Sequence, residues 1–244
     1  MVKEVLTYLV SDKSGIYMDC TFGAGGHSQE IMKNLEENGK LIGVDRDPDV
    51  TNKIPVSLRN DDRFSLVKDR FSNIQYHAKN ASIDGILVDL GISSTQLDDL
   101  ERGFSFQFQG PLDMRMDQSE GMSAEQWINT ASRKEIEKVL WELGEERASR
   151  KIAKIICEKR VKQPIASTEE LVDIVLSCVP RRGKKHPATN IFVKNEHCFG
   201  CHSRSSRIST NYEGWQETLL EQEDIKGKKG FKTFEDKRIY AQKE

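Results

Sequence analysis

Nine residues near the start of the chain carry its strongest chemical signal: Asp19-Cys20-Thr21-Phe22-Gly23-Ala24-Gly25-Gly26-His27. Asp45 follows 18 residues after His27, at the end of an apolar run. Glycines let a backbone turn tightly and approach a ligand with no side chain in the way. A helix starting at such a turn offers unsatisfied N–H groups and the positive end of its dipole. A carboxylate closing the next strand can accept hydrogen bonds from both hydroxyls of a ribose. The combination describes a nucleoside-cofactor pocket. A further carboxylate, Asp89, closes a later apolar run.

The elements that must position these residues alternate between strand and helix signals. Residues 16–20, 41–45, 64–68 and 83–90 read as short strands, and residues 27–35 as a helix. Near-continuous apolar strands suit a parallel sheet covered on both faces. Their alternation with helices predicts an open, doubly wound α/β sheet with right-handed crossovers. Ligands then sit at the carboxyl ends of the strands, where the glycine loop, Asp45 and Asp89 all fall.

After Phe106 the pattern changes, and Gly110-Pro111 marks a break. Three capping-box signatures follow, Ser123-x-x-Gln126, Ser132-x-x-Glu135 and Ser167-x-x-Glu170. Ile136, Val139, Leu140 and Leu143 recur at helical spacing, as do Ile152, Ile155 and Ile156, then Leu171, Ile174 and Val175 before Pro180. These stripes read as core. The expected organisation is a sheet domain over residues 1–106, a helical insertion over 107–180, and a divergent return to the sheet over 181–244. The last part is polar and basic with little strand periodicity.

Composition narrows the classes. With 37 basic and 39 acidic residues the net charge is −2, so nucleic-acid contact has to come from a local patch. Seven Lys/Arg lie between Arg181 and Arg207 against one acid, Glu196. Taken alone, such a run reads as a solvated loop. No stretch approaches the ~20 apolar residues of a membrane helix, and residues 1–10 lack a signal-peptide layout. Five scattered cysteines suit free thiols in a reducing cytoplasm, so the expected location is cytoplasmic.

Cys198-Phe199-Gly200-Cys201-His202 has the c-type haem attachment spacing and, with His197, four possible zinc ligands. No export signal supports haem, and four ligands within six residues close a tetrahedral site poorly. No motif in the chain calls for a metal.

The glycine loop and Asp45 do not by themselves separate a nicotinamide from S-adenosylmethionine. Later strings do. Asp89-Leu90-Gly91-Ile92-Ser93-Ser94-Thr95-Gln96-Leu97-Asp98 leads into Glu101-Arg102-Gly103-Phe104-Ser105-Phe106, then Gly110-Pro111-Leu112-Asp113-Met114-Arg115-Met116-Asp117. Together with Thr21-Phe22-Gly23-Ala24-Gly25-Gly26-His27-Ser28, Gly144-Glu145-Glu146-Arg147 and His186-Pro187-Ala188-Thr189, these closely resemble the RsmH (MraW) family. Its members are S-adenosylmethionine-dependent enzymes that methylate N4 of a cytidine in small-subunit (16S) ribosomal RNA. Several strings in the right order over residues 18–189 carry the resemblance.

The resemblance implies a class I methyltransferase (Rossmann-like) fold, S-adenosyl-L-methionine as cofactor, and small-subunit ribosomal RNA or the small subunit as partner. It implies that Gly25, Gly26 and His27 hold the methionine end and that Asp45 takes the ribose. Phe71 then packs near the adenine, and Asp89 and Gln96 complete the site. Cytosine N4 is a poor nucleophile, so an acceptor that orients the amine is needed. Asp89, then Ser93 and Ser94, are the candidates. Arg102, Arg115, Arg181, Arg182, Lys184 and Lys185 are candidate phosphate contacts. The target base must be unstacked or single-stranded.

The end of the chain departs from the family pattern. After Thr189 the expected helix is replaced by Asn190-Ile191-Phe192-Val193-Lys194, and no apolar strand follows. Residues 83–90 are then expected to expose an apolar edge, open to aggregation or to a homodimer through that edge. Two rival readings follow: a degraded, non-catalytic remnant that at most binds nucleoside or RNA, and an NAD-type oxidoreductase resting only on the glycine loop.

Overall fold

Period-2 alternation along short strands explains the first of two units. In β1 (Ile16–Asp19), Tyr17 points to one face and Met18 to the other. In β2 (Lys40–Asp45), Leu41 and Val44 divide the same way, and in β4 (Gly85–Asp89), Leu87 opposes Ile86 and Val88. All of these side chains are buried. Burial on both faces is what a doubly wound parallel sheet requires.

The computed structural model describes residues 2–77, 83–89, 91–180, 186–192, 231–233 and 238–242, the last two ranges as backbone. Contacts divide the chain into Met1–Gly91 with Asn211–Glu244, and Ile92–Thr210. The division precedes the change of pattern at residue 107, because Phe104 already packs among the helices of the second unit.

In the first unit, α1 (Val2–Leu9) and α2 (Gly26–Asn34) put Val5, Leu9, Ile31 and Met32 against the Tyr17–Leu41–Leu87 face. A short helix, α3 (Val56–Arg59), adds Leu58 to that layer. Ile74, in the 3-10 turn Phe71–Tyr76 after β3 (Phe64–Lys68), packs with Met18, Val44 and Val88 on the opposite face. The strands run β3-β2-β1-β4 in parallel, and the expected doubly wound α/β sheet of the class I methyltransferase type is present.

The chain end corrects one expectation. Two strands that the sequence pattern did not reveal, β5 (Phe231–Thr233) and β6 (Arg238–Gln242), complete a six-stranded sheet. β6 pairs antiparallel with β4 from Gly85↔Gln242 to Asp89↔Arg238, and β5 pairs with β6. The edge of β4 is therefore covered, which removes the stated reason for association through it. These strands were illegible because they are three and five residues long and set among lysines, too short for periodicity to show.

The second unit is helical. After α4 (Ser94–Asp98) come α5 (Ala124–Thr130), α6 (Arg133–Glu142), α7 (Ser149–Arg160), α8 (Thr168–Cys178) and α9 (Thr189–Phe192). The three capping boxes read from the sequence start α5, α6 and α8. Their apolar stripes share one core with Phe104, Leu112 and Phe192.

β6 has a neighbour on each side, so proline within it deletes a ladder hydrogen bond. Tyr240→Pro is expected to lower stability by about 2 kcal/mol, the order of a buried group left unsatisfied. It should also raise self-association by reopening the β4 edge. Urea unfolding and size-exclusion chromatography check this; an unchanged midpoint would show that β6 does not brace the sheet.

Candidate functional site

The chain leaves β1 toward β2, while β4 lies on the other side of β1. The strand order thus reverses at β1, and a switch point of this kind places a ligand crevice at the carboxyl ends of the strands. Three carboxylates end strands around it: Asp19 on β1, Asp45 on β2 and Asp89 on β4.

The glycine loop is tied to all three strand ends. The Asp19 carboxylate accepts the Thr21 N–H at 3.2 Å and the Ser28 hydroxyl at 2.7 Å. Asp45 Oδ2 accepts the Gly23 N–H at 2.8 Å, and Oδ1 accepts the Asp47 N–H at 2.9 Å. The Asp89 N–H donates to Thr21 Oγ1 at 2.8 Å, and Asp89 Oδ2 lies 3.3 Å from His27 Nε2. The Phe22 N–H donates to the Val44 carbonyl. Gly43 makes room for this approach, since a Cβ there would meet the Phe22 ring at 2.8 Å.

Gly25 is the N-cap of α2 with φ 75°, a left-handed conformation that glycine adopts without strain. A Cβ on it would also press on Phe22 and Pro55. α2 has no side-chain cap, so its first amides keep their donor capacity. Among the described residues, a Cβ on the next residue, Gly26, would meet nothing within 4 Å outside its own helix turn. On the following residue, His27 Nδ1 is buried with no hydrogen-bond partner among the described residues. With Nε2 directed at Asp89, Nδ1 is the atom left to meet a ligand.

Electrostatics distinguish the carboxylates. Asp19 is 1% exposed, and burial pushes its carboxyl up to about 6, against the pull of Ser28, Thr21 and His27. Burial also raises Asp45, although amides of Asp47 and Gly23 pull it down. The Arg46 amide also hydrogen-bonds this carboxylate, so three backbone donors fix its orientation. At the end of β3, burial pushes Asp69 up, but hydrogen bonds from His77, Asn73 and Arg70 outweigh it and hold its carboxyl below the ordinary value. This clamp steadies the turn that starts at Phe71, whose ring packs against the Met18–Val44–Val88 layer.

A family model described as the MraW methylase family matches residues 1–194. The chain belongs to this family. Similar proteins named ribosomal RNA small subunit methyltransferase H occur in Alcanivorax borkumensis (48% identical over 195 residues), Coxiella burnetii (46% over 194) and Marinomonas sp. (45% over 197). These alignments cover 78–79% of this chain and 62–63% of those proteins. The chain thus spans under two thirds of the length of the relatives it matches.

The remaining site residues of this MraW-family chain fall in the second unit or outside the described residues. Ser93 and Gln96 form a capping box on α4: Ser93 Oγ accepts the Gln96 N–H, and Gln96 Oε1 accepts the Ser93 N–H at 3.0 Å. Ser94 is exposed at the first position of that helix. Arg102 is 2% exposed, and its guanidinium donates to the carbonyls of Arg115 (3.0 Å) and Met116 (2.7 Å). It clasps a loop and does not present a phosphate contact. Arg115 is held by Asp113 through both carboxylate oxygens, at 3.0 and 2.6 Å. Arg181, Arg182, Lys184, Lys185 and Cys198, Cys201 and His202 lie outside the described residues. Among the described residues no His/Cys/Asp/Glu group could hold a metal, and no helix is long and apolar enough to cross a membrane.

Asp19, which opens the glycine string but carries no assigned role in the sequence reading, is the buried carboxylate that anchors the loop through Thr21 and Ser28. Its position at the end of the first apolar run was the signal. Because the folded-state pKa near 6 lies above the unfolded value, the folded chain holds a proton that the unfolded chain releases between about pH 4 and pH 6. Stability contributed here falls as pH rises through that window and is level above it. Asp19→Asn cannot ionise. Its stability relative to the native chain is expected to rise by up to about 3 kcal/mol between pH 4 and pH 7, read from urea midpoints at each pH. Parallel profiles for the two chains would refute a raised Asp19.

Proposed function

We propose that this chain transfers a methyl group from S-adenosylmethionine to N4 of a cytidine in small-subunit ribosomal RNA. The observation that carries the reading is the glycine loop bound to three strand-end carboxylates, with the start of α2 uncapped and His27 Nδ1 buried without a hydrogen-bond partner among the described residues. Membership of the MraW methylase family, and relatives named as small-subunit ribosomal RNA methyltransferases, support the choice of cofactor and substrate over a nicotinamide.

The residues present suit the cofactor. Asp45, a carboxylate fixed at the end of β2, suits the ribose as an acceptor, and Phe71 offers an apolar ring to the adenine. The α2 amides suit the amino-acid carboxylate, because a helix start favours an anion. His27 Nδ1, as a lone pair, suits the ammonium. When bound, the cofactor supplies a methyl group on a positively charged sulfur.

The chain's own task is positioning. Asp89 ends β4 at the rim of the crevice, with one oxygen on His27. An exocyclic amine donating to that carboxylate is turned so that its lone pair faces the methyl, and the carboxylate eases the charge that develops as nitrogen is alkylated. The nitrogen then gives its extra proton to the Asp89 carboxylate, to which it already donates. Ser93 is occupied as a helix cap, which leaves Asp89 as the principal candidate and Ser94 as the hydroxyl with no capping duty.

Asp89→Asn keeps an acceptor oxygen and the shape of the side chain but removes its charge. It is expected to slow methylation of small ribosomal subunits by about 100-fold or more, the scale of losing one charge-stabilising group, with cofactor affinity changed less than tenfold. Radiolabelled methyl incorporation with a parallel cofactor titration reads both. Undiminished methylation removes Asp89 from the mechanism. No methylation by the native chain, despite cofactor binding, removes the proposed substrate.

A further inference from the structure

The second unit carries a surface hollow away from its core, between α6 and the start of α7. It is a cavity of about 590 Å³ lined by Lys134, Glu137, Lys138, Trp141, Arg147 and Arg150, together with Ser149. A volume of this size accommodates a small-molecule-sized group such as a nucleotide. Four of the lining residues are cations and one is an acid. The chain as a whole is slightly acidic, so this is a local reversal of charge.

Two features set the hollow apart from ordinary solvated helix surface. Trp141 is 58% exposed, although a ring of this size is normally well covered. The cations are also poorly neutralised. Among the described residues neither Lys134 nor Arg147 is in an ion pair. Lys138 lies 3.9 Å from Glu142 with both side chains exposed, and Arg150 meets Glu137 with 86% of its own side chain exposed. Such exposed pairs contribute little and exchange readily for another anion.

The arrangement is held in place from below. Lys134, Lys138 and Trp141 fall at i, i+4 and i+7 of α6 and share one face of that helix. Arg147 is aimed by a tight turn, in which Glu145 adopts a left-handed φ of 49°. The next residue, Glu146, is buried and accepts the Ala148 N–H at 2.8 Å. A non-glycine residue in that conformation persists only where its surroundings enforce it.

We infer that this hollow is a docking surface for single-stranded RNA, with an unstacked base lying on the Trp141 ring and phosphates on Lys134, Lys138 and Arg147. An aromatic platform flanked by cations is how proteins hold unpaired nucleotides without reading sequence. It places recognition of the substrate strand on residues other than the buried Arg102 and the Asp113-bound Arg115. The inference rests on the reading of the chain as RNA-directed and adds where the RNA is held. A second hollow, lined by Leu35, Glu36, Glu37, Asn38 and Arg63, offers no such surface, because Arg63 is already bound to Asp61 and the carbonyls of Leu35 and Glu36.

The test is fluorescence anisotropy of the full chain with a labelled 12-nucleotide single-stranded RNA of mixed sequence, over a range of salt. Trp141→Ala is expected to weaken binding about tenfold or more, and Trp141→Phe to retain most of it. Lys134→Gln with Arg147→Gln should lower the slope of log affinity against log salt by about 1.4, near 0.7 for each phosphate contact. Because all three side chains are exposed, melting temperatures should stay close to the native value. Affinity within twofold of native for Trp141→Ala overturns the inference. So does Trp141-dependent binding to phosphatidylglycerol vesicles with none to RNA. The native chain titrated with S-adenosylmethionine separates this from the proposed function. Trp141-dependent RNA binding without cofactor binding upholds the surface and defeats the methyltransferase reading; cofactor binding with Trp141-independent RNA affinity does the reverse.

Discussion

The structure depends on a loop held from three sides by carboxylates at the ends of parallel strands. Asp19 takes the Thr21 amide and the Ser28 hydroxyl, Asp45 takes the Gly23 amide, and Asp89 takes His27 while its own amide reaches Thr21. Burying a carboxyl as deeply as Asp19 costs stability unless its oxygens are satisfied. Here they are, and burial also favours the protonated form. The cost falls on the residue that fixes both ends of the turn. What results is a loop whose shape is fixed by the chain's own hydrogen bonds, and a loop fixed in this way lowers the ordering cost of binding.

Everything else in the first unit serves to bring those carboxylates together. Alternating apolar side chains set the strands in register, so Asp19, Asp45 and Asp89 end at one rim. The order β3-β2-β1-β4 then opens the crevice beside β1. β6 covers the far side of β4, the strand that carries Asp89, and keeps its backbone paired. The second unit follows helical logic instead, with serine caps fixing where helices begin and one shared apolar core.

Where periodicity was strong the sequence was legible. The four parallel strands and the capped helices of the second unit lie within a few residues of where pattern and capping signatures placed them. The short β5 and β6 had no periodicity to read, and α1 passed as an unremarked N-terminus. At the site, the glycine loop, Asp45 and Asp89 were visible because residue type, spacing and strand ends coincided. Ser93-x-x-Gln96 is the same capping signature that was read correctly three times elsewhere, yet its place in a family string invited a chemical role. Arg102 looked like a surface cation because nothing local in a sequence shows that a guanidinium will be buried on two distant carbonyls. Trp141 and Arg147 were invisible as a pair for the same reason: a helix and a turn bring them together.

The central claim is that a nucleoside cofactor occupies the space over the first turn of α2. Gly26 offers a direct test, since among the described residues a methyl group there meets no side chain within 4 Å and alanine suits a helix better than glycine. The measurement is a calorimetric titration of the native chain and Gly26→Ala with S-adenosylmethionine, with melting curves for both. Saturable binding by the native chain, lost or weakened at least about tenfold in a variant that melts no lower, is the result expected for a methyl group placed in the cofactor's path. Equal binding by both chains, or none by the native chain, would contradict it.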